Sequence, residues 1–479
     1  MRNSKFQFVA LAAFLCATIV VVTNAFAPRI FAQGQRTDPF HSIEPIGAAL
    51  HEILSQYVEE PDIDKVVEGA LVGMMRSLDR HSAFVPPQEF TEMHEDTQGE
   101  FFGIGVSIEL DENENVQVRQ TIPNTPAAAS GMFMGDIILE VDGTPIAELE
   151  PQGERRLSAV ANLIKGPEGT VVTVKVFRPG TENSEGELLE FEIKRGRIPL
   201  ESIVERRLLD GGIGYIRISD FKSNTAADME RAIKDFRDEG MRAMVLDLRW
   251  NRGGLLTASQ EVSELFLPKN TLVTYTRGRP NGPATENMVL RTRKNPVMPV
   301  DMPLIILVTN QTASSAEIVT GALQFHERAI IVGETTYGKG SVQTIIPLER
   351  PQGSALRLTT ALYYTPADVT IDESGIKPDV EVEMDIETQR QLLTQMWRSY
   401  ASDPTMEHEQ NHGTVTGNTD GELDAEGNQM DLVQDSVLQR AVEILNEDTV
   451  WSNLIERYHK PASETQVAKA DGVQQGEGQ

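Results

Sequence analysis

Serine 314, lysine 339 and glutamine 343 stand 25 and then 4 residues apart, in a stretch (residues 303–343) that reads PLIILVTN, QTASSAEIVTGALQ, AIIVGE and TTYGKGSVQ. A serine hydroxyl is a weak nucleophile near neutral pH and needs a base. A lysine serves only where burial brings its pKa from about 10.4 toward about 7 to 8. Lys339 fits that demand: Gly338 and Gly340 let the backbone pack tightly around it, and apolar runs lie on both sides. An amide at Gln343 can hold the amine without adding charge, whereas a carboxylate there would raise the lysine pKa. Taken alone, the residues keep a second meaning open. Ser314-Ser315-Ala316-Glu317 also fits the S-x-x-E capping box of a helix start, and a lysine between glycines also suits an exposed turn.

Two other strings compete and fail on context. His408-Glu409-Gln410-Asn411-His412 matches the H-E-x-x-H pattern of zinc peptidases, which needs a helix with both histidines on one face. Here the flanks are acidic, aperiodic and followed by Gly413, so no metal is expected. Gly333 to Lys339 spells G-x-x-x-x-G-K, but the phosphate loop needs Ser or Thr next and then a helix N-terminus. Gly340 takes that place, and the β-branched SVQTIIPL after it reads as a strand. No cofactor is expected.

The elements that must position the serine and lysine lie within residues 196–400, where GIGYIRI, AMVLDLRW and PLIILVTN alternate with helical patterns at 225–240, 256–265 and 314–324. That alternation predicts an α/β catalytic domain with a largely parallel sheet. Ligand sites in such sheets lie outside the carboxyl ends of the strands. Ser314 and Asn251-Arg252-Gly253-Gly254 should therefore share one rim, with the first-turn amides behind Ser314 facing developing negative charge.

Residues 92–195 change character. Short β-rich runs (GIGVSIEL, VQVRQTI, DIILEVDG, VVTVKVFR) are separated by turns, with one helix near Glu154 to Ile164. This order resembles a PDZ domain, inserted and β-rich. The resemblance implies that the turn and strand Gly103-Ile104-Gly105-Val106 present backbone amides to a peptide's terminal carboxylate while the peptide adds a strand.

Ahead of it, residues 34–91 carry two amphipathic helices broken near Glu60-Pro61, suited to a packing or dimer arm, and His81 in LDRHSAF reads as a structural turn histidine. At the very start, Arg2 and Lys5 precede an uncharged stretch from Phe6 to Ala27 that ends Ala25-Phe26-Ala27. Residues 1–33 are thus an export signal or a retained anchor, the 22 residues being long enough for either. Export points to the periplasm or the outer face of the inner membrane. Behind the catalytic region come an acidic linker (401–430), a helical segment (431–460) and a tail expected to be disordered (461–479). A net charge of −29 argues against nucleic acid as a partner, and the lone Cys16 excludes an internal disulfide or a cysteine nucleophile in the folded part.

In this order, DLRWNRGGLL, NQTASSAEIVTGALQ and TTYGKGSVQ behind a PDZ-like domain closely resemble the carboxyl-terminal processing peptidases, family S41 of the serine peptidases. The resemblance spans about residues 41–400 and includes both spacings. It implies Ser314 as nucleophile, Lys339 as general base and Gln343 as the residue that orients it. The implied oxyanion hole uses the Ser315 amide and that of Gly253 or Gly254. The adjacent Ser315 is a competing nucleophile, and the 25-residue spacing selects Ser314. The expected partners are polypeptides with apolar C-termini; a homo-oligomer through the terminal helices and an adaptor protein are further candidates. The rival from another class is a non-catalytic PDZ adaptor or holdase presenting clients to another protease.

Overall fold

The structure, a computed structural model, describes residues 39–402, with breaks at 112, 123, 150–153, 181–185, 281 and 283–286, and residues 433–447. The export segment, the acidic linker from residue 403 on with its His408 to His412 string, and the tail lie outside the described residues, as does most of the segment after Asn446. Two units are present, Met1–Ser77 and Leu78–Gln479. The first holds the two expected helices, Pro39–Gln56 and Ile63–Arg76, the second capped by Asp62, whose side chain accepts from the amides of Asp64 and Lys65 (3.1 and 3.2 Å). Its apolar positions Ile46, Ile53, Leu54 and Tyr57 are exposed. Among the described residues no helix is long and apolar enough to cross a membrane.

In the second unit the uninterrupted apolar runs become buried strands. Ile213–Ile218, Ala243–Asp247, Leu304–Val308 and Ile330–Gly333 pair in parallel in that order, with Val380–Glu381 parallel at one edge and Ile203–Leu209 antiparallel at the other. Both faces are covered, as continuous apolar strands require. On one side lie the helices Thr225–Asp238, Leu256–Ser263 and Ser315–Phe325, the first burying Ala226, Met229, Ala232, Ile233 and Phe236 at helical spacing. On the other lies Ser436–Asn446, through Val437, Ala441, Ile444 and Leu445.

A largely parallel sheet is thus too simple a description of the catalytic region. A second sheet there is wholly antiparallel, with Ala355–Tyr364 pairing with Ala83–Val85, Leu272–Gly278 and Ser341–Pro347, and Val289–Arg291 completing it. The strand after Lys339, expected from SVQTIIPL, doubles back as a hairpin instead of feeding a helix, so the strand-helix alternation that builds the first sheet stops there. Residues 78–91 are also not all helical. Ala83–Val85 is a strand of this sheet, so the turn that holds His81 belongs to the catalytic unit.

The inserted domain is an antiparallel sheet of Val106–Leu110, Val116–Thr121, Ile137–Val141, Val171–Arg178 and Glu187–Lys194 around a core that includes Ile104, Val118, Val160 and Val174. The run GIGV is not one strand: Glu100–Gly103 pairs with Gly196–Pro199, and Val106–Leu110 begins after a break. Gly105 makes that break at φ 84°, where a Cβ would lie 2.4 Å from Thr125. Val106–Leu110 is left as an edge strand beside the helix Glu154–Ile164.

Candidate active site

Ser314 sits where the buried strand Leu304–Val308 turns into the helix Ser315–Phe325. Its backbone is in an unusual region, φ 57° and ψ −120°, which costs a non-glycine residue roughly 1–3 kcal/mol and persists only where the surroundings enforce it. They do so here. The Thr312 hydroxyl donates to Leu248 O (2.8 Å), and Ala313 N donates to Asn251 O (2.9 Å), which ties the serine turn to the loop after Ala243–Asp247.

That loop carries the expected glycines. Gly253, at φ 97°, lies against the serine, where an added Cβ would be 2.6 Å from Ser314 Cβ. Its amide is engaged, donating to Asn251 Oδ1 at 2.8 Å. Among the described residues, no acceptor is assigned to the amides of Gly254 or Ser315, the latter being the first residue of its helix. The Ser315 hydroxyl is buried and donates to the carbonyls of Gly254 and Leu255 (3.0 and 3.1 Å).

Lys339 enters on the loop between Ile330–Gly333 and Ser341–Pro347. Burial, and to a lesser degree the charge of Arg357, hold its amine below the ordinary lysine value, with Glu317 pulling the other way. Glu317 is fully buried and joins the two halves of the site. One carboxylate oxygen accepts from the amides of Ser314 (2.8 Å) and Lys339 (2.9 Å), the other from the Thr336 hydroxyl (2.5 Å) and the Gly338 amide (2.7 Å). Burial pushes this carboxyl above its usual range against the pull of those donors. The buried Tyr363 hydroxyl, held protonated by burial, is within reach of Ser314 O (3.3 Å) and Lys339 O.

The serine and lysine loops are therefore adjacent, but among the described residues the expected Ser-Lys dyad and Gln343 are not hydrogen-bonded to one another. Among the described residues no hydrogen bond joins Ser314 Oγ to Lys339 Nζ. Gln343 does not hold the lysine either: its amide nitrogen donates to Ser341 Oγ (3.0 Å) and Thr359 Oγ1 (3.3 Å). Those two hydroxyls meet the side chain first, along the antiparallel register that sets Gln343 opposite Thr359.

The model of Peptidase family S41 matches residues 212–382, and that of the PDZ domain matches residues 117–178. The Carboxy-terminal-processing protease of Bartonella bacilliformis is 35% identical over 418 residues, 86% of this chain and 88% of that protein. The chain belongs to peptidase family S41. Carboxy-terminal processing protease CtpA of Bacillus subtilis is 31% identical over 384 residues, covering 80% of this chain and 78% of that one. Among solved structures, the photosystem II D1 C-terminal processing protease is 26% identical and covers 71% of this chain and 88% of its own, with a TM-score of 0.38. As an S41 peptidase the protein is a serine-type protease, and the matched range contains Ser314, Lys339 and Gln343.

Three features of this S41 site escaped the sequence. Glu317 was visible only as the end of a capping box, a local signal for what is a long-range clamp. Tyr363 carried no signal at all. His81 was read as a structural turn residue, yet the structure brings it toward the lysine. Burial lowers its imidazole pKa, the charges of Lys339 and Arg80 lower it further, and Asp79 and Asp372 oppose them. Its turn is organised by Asp79, which accepts from the amides of His81 and Ser82 (2.7 and 2.8 Å) and from the Thr359 hydroxyl (3.2 Å) that Gln343 also contacts.

Proposed function

We propose that this S41 protein is an exported serine endopeptidase that takes polypeptides by their C-termini through its PDZ domain and cleaves them with Ser314 as nucleophile and Lys339 as general base. The observation that carries this reading is the Glu317 carboxylate, which accepts from the backbone of both residues and so sets a serine beside a half-buried lysine whose pKa is depressed. Neutral Lys339 takes the Ser314 proton as Oγ attacks the scissile carbonyl. The amides of Ser315 and Gly254 receive the oxyanion, Gly253 being engaged by Asn251. The protonated amine then gives its proton to the leaving nitrogen, and water releases the acyl group. Because catalytic hydrogen bonds often tighten only when substrate is bound, this step includes closure of Lys339 Nζ onto Ser314 Oγ. An orienting role for Gln343 falls to its Oε1, which can accept from the lysine amine while Nε2 keeps donating to Ser341 and Thr359. The buried, bonded Ser315 hydroxyl supports Ser314 as the nucleophile.

Capture is assigned to the break at Ile104-Gly105, whose amides have no acceptor among the described residues, and to the open edge of Val106–Leu110. The names of the two relatives, both carboxy-terminal processing proteases, agree with a C-terminal substrate end. Export to the periplasm or the outer face of the inner membrane belongs to the same proposal, on the strength of Arg2, Lys5 and Ala25-Phe26-Ala27. Converting the terminal carboxylate of an apolar-tailed unstructured substrate to an amide removes charge-assisted hydrogen bonds worth roughly 1.5–3 kcal/mol. We expect KM to rise about 10- to 100-fold with kcat little changed; equal KM values for acid and amide would refute capture by the carboxylate. The non-catalytic adaptor draws on one observation, the unbonded serine and lysine, and any Ser314-dependent turnover eliminates it.

A further inference from the structure

The helix Ser436–Asn446 lies on the sheet face opposite the nucleophile helix, yet its cap reaches the loop that faces Ser314. Asp435 caps it, accepting from Leu438 N at 3.0 Å, and the same carboxylate receives Arg249 through two bonds, Nη1 to Oδ1 at 2.8 Å and Nη2 to Oδ2 at 2.7 Å. Arg249 is 186 residues away in sequence, and its side chain is 1% exposed. From its other side Arg249 binds Asp247, with Nε to Oδ1 at 3.0 Å and Nη2 to Oδ2 at 2.7 Å, and Asp247 also accepts from the Tyr215 hydroxyl at 2.7 Å. Asp247 and Arg249 already balance each other's charge. Asp435 therefore adds a fixed second anchor for the far end of the guanidinium, in the bidentate geometry that holds its plane.

Arg249 is the root of the oxyanion loop. Its guanidinium lies over the Trp250 ring (5.1 Å to the centroid), Trp250 is held at φ 59°, and Asn251 then bonds Ala313 through its carbonyl and Gly253 through its side chain. From these contacts we infer that Asp435 is a positioning residue for catalysis: docking of the C-terminal helix fixes Arg249 and, through it, the Trp250 to Gly254 loop that supplies an oxyanion donor. The inference rests on the reading of Ser314 and its neighbouring amides given above. A misplacement of about 1 Å at such a donor can cost on the order of 100-fold in rate.

The test uses the full chain with Asp435→Ser, which keeps a good helix cap but cannot span Arg249, and Asp435→Asn, which keeps cap and shape and loses the charge. Two quantities are read well below each melting transition: kcat and KM on the apolar-tailed substrate, and hydrogen exchange of residues 248–255 and 436–446. The expected result is a 10- to 100-fold fall in kcat with KM within about twofold, faster exchange in 248–255, and retained protection in 436–446. If the serine variant releases the helix, the asparagine variant decides by the same two readings. Loop exchange and kcat both unaltered while the helix stays docked, or a change in KM alone, would overturn the inference. Faster loop exchange in a protein whose parent turns nothing over would uphold the coupling and sink the peptidase reading instead.

Discussion

Replacing Ser314 with alanine is expected to lower kcat by about 10⁶-fold, the scale seen when a serine nucleophile is removed from an otherwise intact site. The fold should survive. The backbone amide that Glu317 accepts is retained, as is the Cβ against which Gly253 packs, and only the hydroxyl is lost. Ser315→Ala is the informative contrast. Among the described residues its hydroxyl bonds backbone carbonyls alone, those of Gly254 and Leu255, so its loss should cost about 1 kcal/mol of stability and leave kcat within about tenfold. Turnover of an unstructured apolar-tailed protein, with thermal melts of each variant, separates the two. The reverse order of effects would make Ser315 the nucleophile and overturn the register of the site.

The second large effect is expected at Glu317. In Glu317→Gln one amide oxygen replaces two carboxylate oxygens that serve four donors, and its NH₂ faces donors where an acceptor stood. Each buried donor left unmet costs roughly 1–3 kcal/mol, so the melting temperature should fall by several degrees. The activity loss should exceed what stability explains, at least about 100-fold in kcat at a temperature where the variant is folded, because in either orientation the NH₂ meets backbone donors of the loops that carry Ser314 and Lys339 and displaces the clamp between them. A kcat near that of the parent in a folded Glu317→Gln would show that the clamp does not position the pair.

What the sequence could reveal at this site was whatever is local. Ser314 was legible because an apolar run followed by a capping box marks a strand-to-helix junction, and Lys339 because glycines and apolar runs surround it. The interaction that joins them was not legible. The Glu317 signal describes contacts three residues away, whereas its bonds to Thr336, Gly338 and Lys339 span 19 to 22 residues. The contacts of Gln343 were hidden for the same reason, since Thr359, which accepts from its Nε2, is brought opposite by the hairpin register and lies 16 residues away. In the fold, continuous buried strands announced the parallel pairings. The antiparallel sheet depended on strands far apart in the chain, Ala83–Val85 and Ala355–Tyr364 among them, and periodicity does not encode such pairings. Gly105 was read as a turn donor beside a strand, and its positive φ makes it the break that divides the GIGV run.

If burial makes Lys339 partly neutral and its amine activates Ser314, the pH dependence of Ser314 acylation must follow the titration of that amine. The base form is the unprotonated amine, and burial lowers the pKa at which that form appears. The rate of labelling of Ser314 by a serine-reactive phosphonate should therefore rise with pH to a plateau reached below the ordinary lysine value of about 10.4, and fall away as pH drops through the depressed pKa. In Lys339→Ala the rate should drop by about 10²- to 10⁴-fold and lose that rise. An unchanged rate and profile in Lys339→Ala, or label on a residue other than Ser314, would contradict the account.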